Sequence, residues 1–353
     1  MNQVKNIVVL FGGASPEYAV SLESAHAVLC SMDRQKYNPV MVGITREGKW
    51  FHFTGETARI KEDTWCNETD CAPAVLSPDR TDHHLIVLRG EKEERKAELI
   101  SVDAVFPVLH GRNGEDGTLQ GMVELAGISL VGCGTLSSAL CMDKDRAHRL
   151  AELSGVRVPR AMVLMEESAV NKACDFAKEL GFPVFVKPVK AGSSYGVTKV
   201  TDMEQLAPAV ALAFRYDNRV ILEEAIAGFE VGCAVCGCDR LIVGEVDEIE
   251  LASGFFDYTE KYTLKTSAIH VPARISKEKA QEIQEAAKRI YRALDCAGFA
   301  RVDMFLTPEG EIVFNEVNTI PGFTEHSRYP GMMRAAGYSF AEVVDRIIGQ
   351  AVG

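Results

Sequence analysis

The sequence lacks any apolar run long enough to span a lipid bilayer, and its start lacks the apolar core and cleavage site of a signal peptide. It also lacks an excess of basic residues, because 38 Lys and Arg stand against 50 Asp and Glu, giving a net charge of -12. This balance argues against nucleic acid or an anionic membrane as the main partner. We therefore expect a cytoplasmic globular protein, whose 353 residues suffice for two or three domains.

The ten cysteines lack the clustering of a disulfide framework, and we expect reduced, mostly buried thiols. The tightest group is Cys233, Cys236 and Cys238, in an apolar run typical of a strand. No second cluster of Cys or His lies nearby in the sequence, so a buried strand is favoured over a zinc site.

Strand and helix patterns alternate up to about residue 133, which predicts a parallel α/β unit interrupted by a polar, poorly patterned stretch from 54 to 98. The later chain favours antiparallel sheets of an α+β core. Its predicted features are an amphipathic helix ending at Gly155, a hairpin around the glycine loop "KAGSSYG", a helix over 277–294 and a last helix over 339–349.

The segment "IVFNEVNTIPG" (312–322) is predicted to be a buried strand, yet it carries an acid and an amide two residues apart. Side chains alternate along a strand, so Ile312, Phe314, Glu316 and Asn318 are expected to share one face. A buried carboxylate needs a partner because an unpaired buried charge is very costly.

Turn residues at 307–310 predict that this strand folds back on the preceding one. If the polar faces coincide, Asp303, Glu316 and Asn318 form an oxygen cluster with Arg301 at its edge. Such a cluster suits Mg²⁺. The alternative is a surface ion pair between Arg301 and Glu316.

The segment "VKPVKAGSSYG" (186–196) places Lys187 inside an apolar strand, where a lysine is costly unless it meets an anion. The following glycine-serine loop could cradle phosphate oxygens. It is not a Walker A motif, the sequence contains no G-x-G-x-x-G, and a simple hairpin turn is the alternative.

Two other loops carry more polar groups than folding requires. The loop "HGRNGEDGT" (110–118) contains His110, Glu115 and Asp116, and the stretch "GGASPEYAVSL" contains Glu17 and Ser21 after a strand. Small ligands bind at the carboxyl ends of parallel strands. Solvated turns are the alternative for both.

Taken in order, these segments resemble the D-alanine–D-alanine ligase family, which has the ATP-grasp fold. The resemblance covers essentially the whole chain. It includes "FGGASPEYAVSL", "VFPVLHGRNGEDGTLQG", "GCGTLSSALCMDKDRAH", "VFVKPVKAGSSYGVTKV", "YTEKY", "GFARVDM" and "NEVNTIPGFTEHSRYP".

The resemblance implies a two-step reaction. ATP would phosphorylate the carboxylate of a first D-alanine, and the amine of a second D-amino acid would displace phosphate from this acyl phosphate. Glu17 would receive the ammonium of the first D-alanine, and His110 would lie near its carboxylate. Arg301 and the backbone N–H near Gly322 would stabilise the tetrahedral oxyanion.

The resemblance also implies ATP and two Mg²⁺ ions, or Mn²⁺ in their place, as cofactors. Asp303, Glu316 and Asn318 would be the metal ligands, in agreement with the oxygen cluster inferred from the hairpin. The implied nucleotide contacts are Lys144, Lys187, Ser193, Ser194, Glu223, Ala225, Ile226, Glu230 and Lys261.

The implied architecture combines α/β and α+β parts, and a homodimer is expected. The predicted units are an N-terminal α/β domain (1–133), a central ATP-grasp subdomain (134–222) and a C-terminal ATP-grasp subdomain (223–353). The segment 252–266 would be a lid that excludes water, and Ser193 and Tyr262 would link Glu17 to it.

The second substrate is predicted from the residue after Ser327. Family members that make D-alanyl-D-alanine usually have leucine there, whereas this chain has Arg328 and is more similar to the D-alanine–D-serine ligases of the vancomycin-resistance type. An arginine can donate hydrogen bonds to a hydroxyl. Tyr262 argues against the D-lactate branch. D-Serine is therefore expected as second substrate, with a second D-alanine as the alternative.

Two other classes stay open from sequence alone. An ATP-grasp enzyme for an unrelated acid and amine would share the nucleotide residues but not Glu17, His110 and the 252–266 segment. A non-catalytic nucleotide-binding regulator would lack part of the set formed by Arg301 and the three metal ligands, whereas all four are present.

Overall fold

The structure, a computed structural model, describes residues 3–90, 95–192, 194–251 and 267–353. Within these ranges the strands form an eight-stranded, a four-stranded and a six-stranded sheet. No helix in the described ranges has both the length and the apolar character needed to cross a bilayer.

The first sheet is parallel at its centre and antiparallel on one side. Its strands are β1 (Lys5–Gly12), β2 (Tyr37–Ile44), β3 (Trp50–Phe53), β4 (Cys71–Leu76), β5 (His84–Arg89), β6 (Lys96–Ser101), β7 (Ala104–Pro107) and β8 (Ser129–Leu130). Their order is β6-β5-β4-β3-β2-β1-β7-β8. Because β1 runs parallel to β2 and β7, and β7 to β8, the predicted parallel α/β unit is confirmed.

The antiparallel part of this sheet consists of β3 to β6, and β4, β5 and the start of β6 lie in the stretch from 54 to 98, for which no strand was predicted. In β4 and β5 only alternate side chains are buried, and β6 is exposed at nearly every position. β4 and β5 also carry apolar side chains at their less buried positions, and β6 is largely exposed, so the alternation that marks a half-buried strand is obscured and these strands were missed.

The helices of the first part are α1 (Tyr18–Ser31), α2 (Ala58–Lys61), α3 (Thr118–Leu125), α4 (Thr135–Met142) and α5 (Lys144–Leu153). The prediction of one continuous helix ending at Gly155 is wrong, because the chain is extended at Asp143 between α4 and α5. The Asp143 carboxylate accepts the N–H of Arg146 and caps α5. It also pairs with Arg219, which immediately precedes β12 (Val220–Glu224) of the second sheet.

The second sheet is antiparallel. Its strands are β9 (Ala161–Leu164), β10 (Val184–Pro188), β11 (Thr198–Val200) and β12 (Val220–Glu224), covered by α6 (Val170–Leu180) and α7 (Leu206–Ala213). β10 pairs with β11 across the glycine-serine loop, which confirms the predicted hairpin. Apolar residues of both helices and of β10 and β12 form its core.

The third sheet carries the predicted metal ligands. Its strands are β13 (Phe229–Cys236), β14 (Ile242–Val243), β15 (Asp247–Leu251), β16 (Ser267–His270), β17 (Phe299–Leu306) and β18 (Ile312–Asn318). The helices in the described residues after this sheet's first strands are α8 (Lys277–Ala293), α9 (Arg328–Ala335) and α10 (Phe340–Val352). All pairings between these strands are antiparallel, as predicted, whereas α9 was not predicted. The domain limits at 133 and 222 stay a prediction.

The ten cysteines are free thiols in the structure. Cys233 and Cys236 are buried in β13, and Cys238 is exposed. Among the described residues no group of three or more His, Cys, Asp or Glu side chains is placed to hold a metal ion. The strand interpretation is confirmed for Cys233 and Cys236, which lie in β13, whereas Cys238 follows the end of that strand.

Candidate active site

The hairpin of β17 and β18 places the predicted metal ligands side by side. Asp303 pairs with Glu316, and Arg301 pairs with Asn318, across the antiparallel ladder. Directly opposed residues on neighbouring strands project from the same face. The four side chains therefore leave the same face of the sheet, as the sequence predicted.

A β-bulge at Asn315 separates this polar face from the core. The pairing register shifts by one residue there, so the alternation of side chains shifts with it. Phe314 packs in the same apolar cluster as Val317 and Ile312, on the opposite side of the strand from Glu316. The prediction that Ile312 and Phe314 share a face with Glu316 is wrong, because two residues of β18 oppose one of β17.

Asp303 is buried at 1% exposure, and two arginines compensate its charge. Arg301 donates to it from Nε and Nη2, each at 2.8 Å, and Nη2 of Arg328 lies 3.4 Å away. Nδ2 of Asn318 donates to it at 2.9 Å. Burial opposes the charge on Arg301, but the adjacent Asp303 carboxylate raises the pKa of that guanidinium overall. The site therefore holds charged groups of both signs in a buried position.

The donor set of Asp303, Glu316 and Asn318 fits Mg²⁺. Two carboxylates and one amide oxygen are hard ligands, and Mg²⁺ in nucleotide sites takes one or two carboxylates together with phosphate oxygens and waters. Mn²⁺ accepts the same kind of oxygen ligands. Glu316 lies in the walls of two adjacent cavities, where such an ion would meet ligand oxygens. The assignment of these three ligands stays a prediction.

A cavity of about 570 Å³ lies between the second and third sheets. Its wall contains the apolar side chains Phe185, Val197, Phe229, Ile249 and Phe305. It also contains the predicted nucleotide contacts Lys144, Lys187, Ser194, Glu223, Ala225, Ile226 and Glu230. An apolar wall with a few convergent polar groups suits a planar base and its attached phosphates.

Lys187 and Glu223 form a buried pair in this cavity, with Nζ and Oε2 2.6 Å apart. Burial raises the pKa of Glu223, but the Lys187 ammonium and neighbouring cations bring it below the ordinary value, so the carboxylate is ionised. Its Oε1 is buried and has no hydrogen-bond partner among the described residues. A buried acceptor without a partner is unfavourable, so Oε1 is suited to accept a hydrogen bond from a bound nucleotide.

His148 is a contributor that the sequence analysis missed. Its Nε2 donates to the carbonyl oxygen of Asn315 at the β-bulge, at 3.0 Å. Its Nδ1 lies 3.8 Å from Oε1 of Glu223. His148 therefore connects the bulged strand to the nucleotide cavity. Its place in "MDKDRAH", one helical turn after Lys144, is the signal that could have found it.

A second cavity of about 530 Å³ adjoins the first and shares Lys144, Ala191 and Glu316 with it. It brings together the predicted residues Glu17, His110, Arg301, Asn318, Gly322, Ser327 and Arg328. These residues come from four separate parts of the sequence. The adjacent positions of the cavities suit transfer of a group from a nucleotide to a small substrate.

Glu17 lies in this second cavity immediately before α1, and it is only 8% exposed. The backbone of Gly111 lies against its carboxylate, since a Cβ added there would lie 1.9 Å from Oε2. Ser21 has a structural role, because its Oγ accepts the N–H of Gly12 and donates to the carbonyl oxygen of Val108. It therefore joins the ends of β1 and β7.

If Glu17 receives the ammonium of the first D-alanine, as the resemblance implies, replacing Gly111 with alanine is expected to raise KM for that substrate about tenfold or more while leaving the affinity for ATP unchanged. The added Cβ would displace the Glu17 carboxylate, and a hydrogen bond to a charged group contributes about 1.5–3 kcal/mol. The positive φ of 70° adds strain of about 1–2 kcal/mol. Steady-state kinetics and thermal unfolding would measure both effects.

Gly48→Ala is the matched control, because Gly48 has φ 83° and an added Cβ meets nothing within 4 Å. It should lose stability without any change in KM. Equal KM values for the two variants would contradict the effect on Glu17.

His110 and Glu115 lie in the wall of this cavity, and their side chains form hydrogen bonds with backbone groups of the protein. Burial lowers the pKa of His110 to about 4, so the ring is neutral near pH 7. Burial and the neighbouring Glu17 carboxylate raise the pKa of Glu115 to about 8. The sequence analysis noted Glu115 in its polar loop but did not assign it to the site.

Arg328 is the first residue of α9, and its guanidinium is 8% exposed. It binds both oxygens of Asp247, at 2.7 Å and 2.9 Å, and Oε1 of Glu230 at 2.7 Å. Burial opposes its charge, but Asp247 and the other carboxylates hold the pKa of Arg328 well above its usual value. Glu230 thus contacts a residue of the second cavity in addition to lining the first.

Four predictions lie outside the described residues. They concern Ser193, Lys261, Tyr262 and the lid over 252–266.

Two family models match the chain: "D-ala D-ala ligase N-terminus" over residues 6–133 and "D-ala D-ala ligase C-terminus" over residues 150–349. The chain belongs to the D-alanine–D-alanine ligase family. It is 44% identical to the vancomycin B-type resistance protein VanB of Enterococcus faecalis, over 100% of this chain and 99% of the relative. It is 42% identical to the D-alanine–D-alanine ligase of Caldicellulosiruptor bescii, over 98% and 94%.

Among solved structures, this ligase is similar to the VanG D-Ala:D-Ser ligase from Enterococcus faecalis, with TM-score 0.91 and 55% identity over 99% of this chain and 100% of that one. The predicted ATP-grasp fold and ligase family are confirmed. The protein is an ATP-dependent ligase for small D-amino acid substrates, in a family that generally uses divalent metal ions. Neither a regulator nor an ATP-grasp enzyme for an unrelated acid and amine agrees with this membership.

Proposed function

We propose that this ligase joins D-alanine to D-serine, forming a dipeptide for peptidoglycan precursors, with D-alanyl-D-alanine as the alternative product. The observation that carries the proposal is the buried Arg328 in the wall of the second cavity. Its three hydrogen bonds to Asp247 and Glu230 use three of the five N–H groups of a guanidinium. A fourth N–H, on Nη2, faces Asp303 at 3.4 Å, and the remaining N–H on Nη1 can donate to a substrate hydroxyl, which D-serine has and D-alanine lacks.

The similarity to a structure described as a D-Ala:D-Ser ligase supports the same choice. The vancomycin-resistance protein among the relatives makes a resistance role a reasonable further expectation. The cytoplasmic location and the homodimer stay predictions.

In the proposed first step, a carboxylate oxygen of D-alanine attacks the γ-phosphorus of ATP and ADP leaves. Lys144 and Lys187 line the nucleotide cavity and would hold the phosphates. Glu17 lies in the wall of the second cavity. It would hold the ammonium of a D-alanine bound in that cavity. A bound Mg²⁺ would supply positive charge at the phosphoryl oxygens.

In the proposed second step, the neutral amine nitrogen of D-serine attacks the carbonyl carbon of D-alanyl phosphate, the C–O bond to phosphate breaks, and the amine's proton leaves with the phosphate. Arg301 binds Asp303 through Nε and Nη2, which leaves Nη1 as a donor for the oxyanion of the tetrahedral intermediate. The N–H of Gly322, in the same cavity, is the second proposed donor.

The test is incubation with ATP, Mg²⁺, D-alanine and D-serine, followed by mass analysis of the dipeptides. D-Alanyl-D-serine is expected as the main product at equal concentrations of the two amino acids. A dominant D-alanyl-D-alanine product would establish the alternative. Absence of both dipeptides would overturn the proposal.

A further inference from the structure

We propose that His110 and Glu115 are positioning residues that clamp the peptide groups of Ile320 and thereby hold the segment 319–323, which carries the N–H of Gly322, for the transfer step. This inference rests on the proposed function, because the transfer step is part of it. The clamp, defined as His110, Glu115 and Ile320, joins the loop after β7 to the segment after β18.

Both polar backbone groups of Ile320 bind side chains of the 110–118 loop. Oε1 of Glu115 accepts the N–H of Ile320 at 3.0 Å. Nδ1 of His110 donates to the carbonyl oxygen of Ile320 at 2.9 Å. Ile320 is 5% exposed, so losing either bond would leave a buried backbone group without a partner.

The other nitrogen of His110 extends the same network. Because the ring is neutral and Nδ1 donates, Nε2 accepts the O–H of Ser24, whose Oγ lies 3.3 Å away. Ser24 Oγ in turn accepts the N–H of Phe323 at 3.2 Å. His110 and Ser24 thus hold the segment at two points, on either side of Gly322.

Glu115 connects this segment to the opposite wall of the cavity. Its Oε2 accepts the N–H of Gly111 at 2.8 Å, and Gly111 lies against the carboxylate of Glu17. One side chain therefore joins the backbone beside the proposed ammonium site to the backbone beside the proposed oxyanion donor. The separation between the two sites depends on this carboxyl group.

The segment needs such support because β18 ends at Asn318 and α9 begins only at Arg328. The N–H groups of Ile320 and Phe323 bind side chains instead of a neighbouring strand. Catalytic donors act only when held within a fraction of an ångström, and a shift of about 1 Å costs about 10²-fold in rate. Both ring nitrogens of His110 bind protein groups, so positioning accounts for this residue without a direct bond to substrate.

The test compares His110→Ala, His110→Asn, Glu115→Ala and Glu115→Gln in the full-length ligase. Both alanine variants should lose about 10²-fold in kcat, with KM for ATP within twofold of the parent. The amide of His110→Asn takes the place of Nδ1 as donor and should restore most of the activity. In Glu115→Gln one oxygen becomes an NH₂ donor facing a backbone N–H, so this variant should lose rate most clearly above pH 8, where the parent carboxyl, with its pKa raised to about 8, is ionised and both of its oxygens accept.

Two further measurements distinguish the clamp from a general structural role. The double variant His110→Ala/Glu115→Ala should be little worse than either single one, because both hold the same residue. Hydrogen exchange should show faster exchange of the Ile320 amide in Glu115→Ala. The control is Glu124→Gln, whose carboxylate accepts the N–H of Thr135 outside both cavities, and it should leave kcat unchanged.

Unchanged kcat in the alanine variants would overturn the inference, as would multiplicative losses in the double variant. It would also be overturned if His110→Asn were as impaired as His110→Ala with a raised KM for D-alanine, since His110 would then bind substrate directly. If the parent protein forms no D-alanyl dipeptide, the proposed function fails, and exchange of the Ile320 amide alone decides the clamp. Equal exchange in the parent and Glu115→Ala would then overturn it.

Discussion

Replacing Glu316 with glutamine is expected to lower ATP-dependent turnover by about 10³-fold or more while leaving the fold intact. Glu316 supplies one of the two carboxylates that the hairpin places on one face, and a metal ion contributes several kcal/mol of charge stabilisation in phosphoryl transfer. The side chain is only partly buried, and glutamine conserves its volume, so the free energy of unfolding should change by about 1 kcal/mol or less.

Phosphate release measures turnover, and Mn²⁺ electron paramagnetic resonance in the presence of a non-hydrolysable ATP analogue measures metal binding directly. Both signals should fall in Glu316→Gln. Glu309→Gln is the matched control, because Glu309 lies in the turn of the same hairpin and is exposed. Normal phosphate release from Glu316→Gln would refute the assignment of the metal ligands.

The pairing of Asp303 with Glu316 was predictable because it depends on local signals. Turn residues at 307–310 fix the hairpin, and the period of two fixes which residues share a face. The bulge at Asn315 was not predictable, since an extra residue leaves no mark in the hydrophobic pattern of "IVFNEVN". It moved Phe314 into the core and left the polar pair where it was expected.

Features that depend on contacts distant in sequence were missed. The helix break at Asp143 is accompanied by an ion pair with Arg219, 76 residues away, and helical periodicity alone gives no sign of it. The clamp joins His110 to Ile320 across 210 residues. Arg328 was selected from the family resemblance, but its partner Asp247 became visible only when the third sheet brought β15 beside α9.

The partners of Arg328 change how its role in selecting the second substrate must be tested. Replacing Arg328 with leucine alone removes both hydrogen bonds to Asp247, which is fully buried. Breaking a buried ion pair by removing one partner costs about 3–5 kcal/mol, because the other charge stays buried. We therefore expect Arg328→Leu to be strongly destabilised in urea unfolding. A change in its activity could then result either from partial unfolding or from a changed preference for the second substrate.

The double variant Arg328→Leu/Asp247→Asn separates these effects, because it removes both charges of the Arg328–Asp247 pair, while Arg301 still compensates Asp303. It should recover much of the lost stability, and its ratio of kcat/KM for D-serine to that for D-alanine should fall by about tenfold, in line with the modest discrimination available between a methyl and a hydroxymethyl group. Arg149→Leu is the matched control. Arg149 pairs with Asp145 at 2.8 Å but is 71% exposed, so this change should leave both the midpoint of urea unfolding and the ratio nearly unchanged. If the well-folded double variant keeps the parent's ratio, selection of the second substrate does not depend on Arg328.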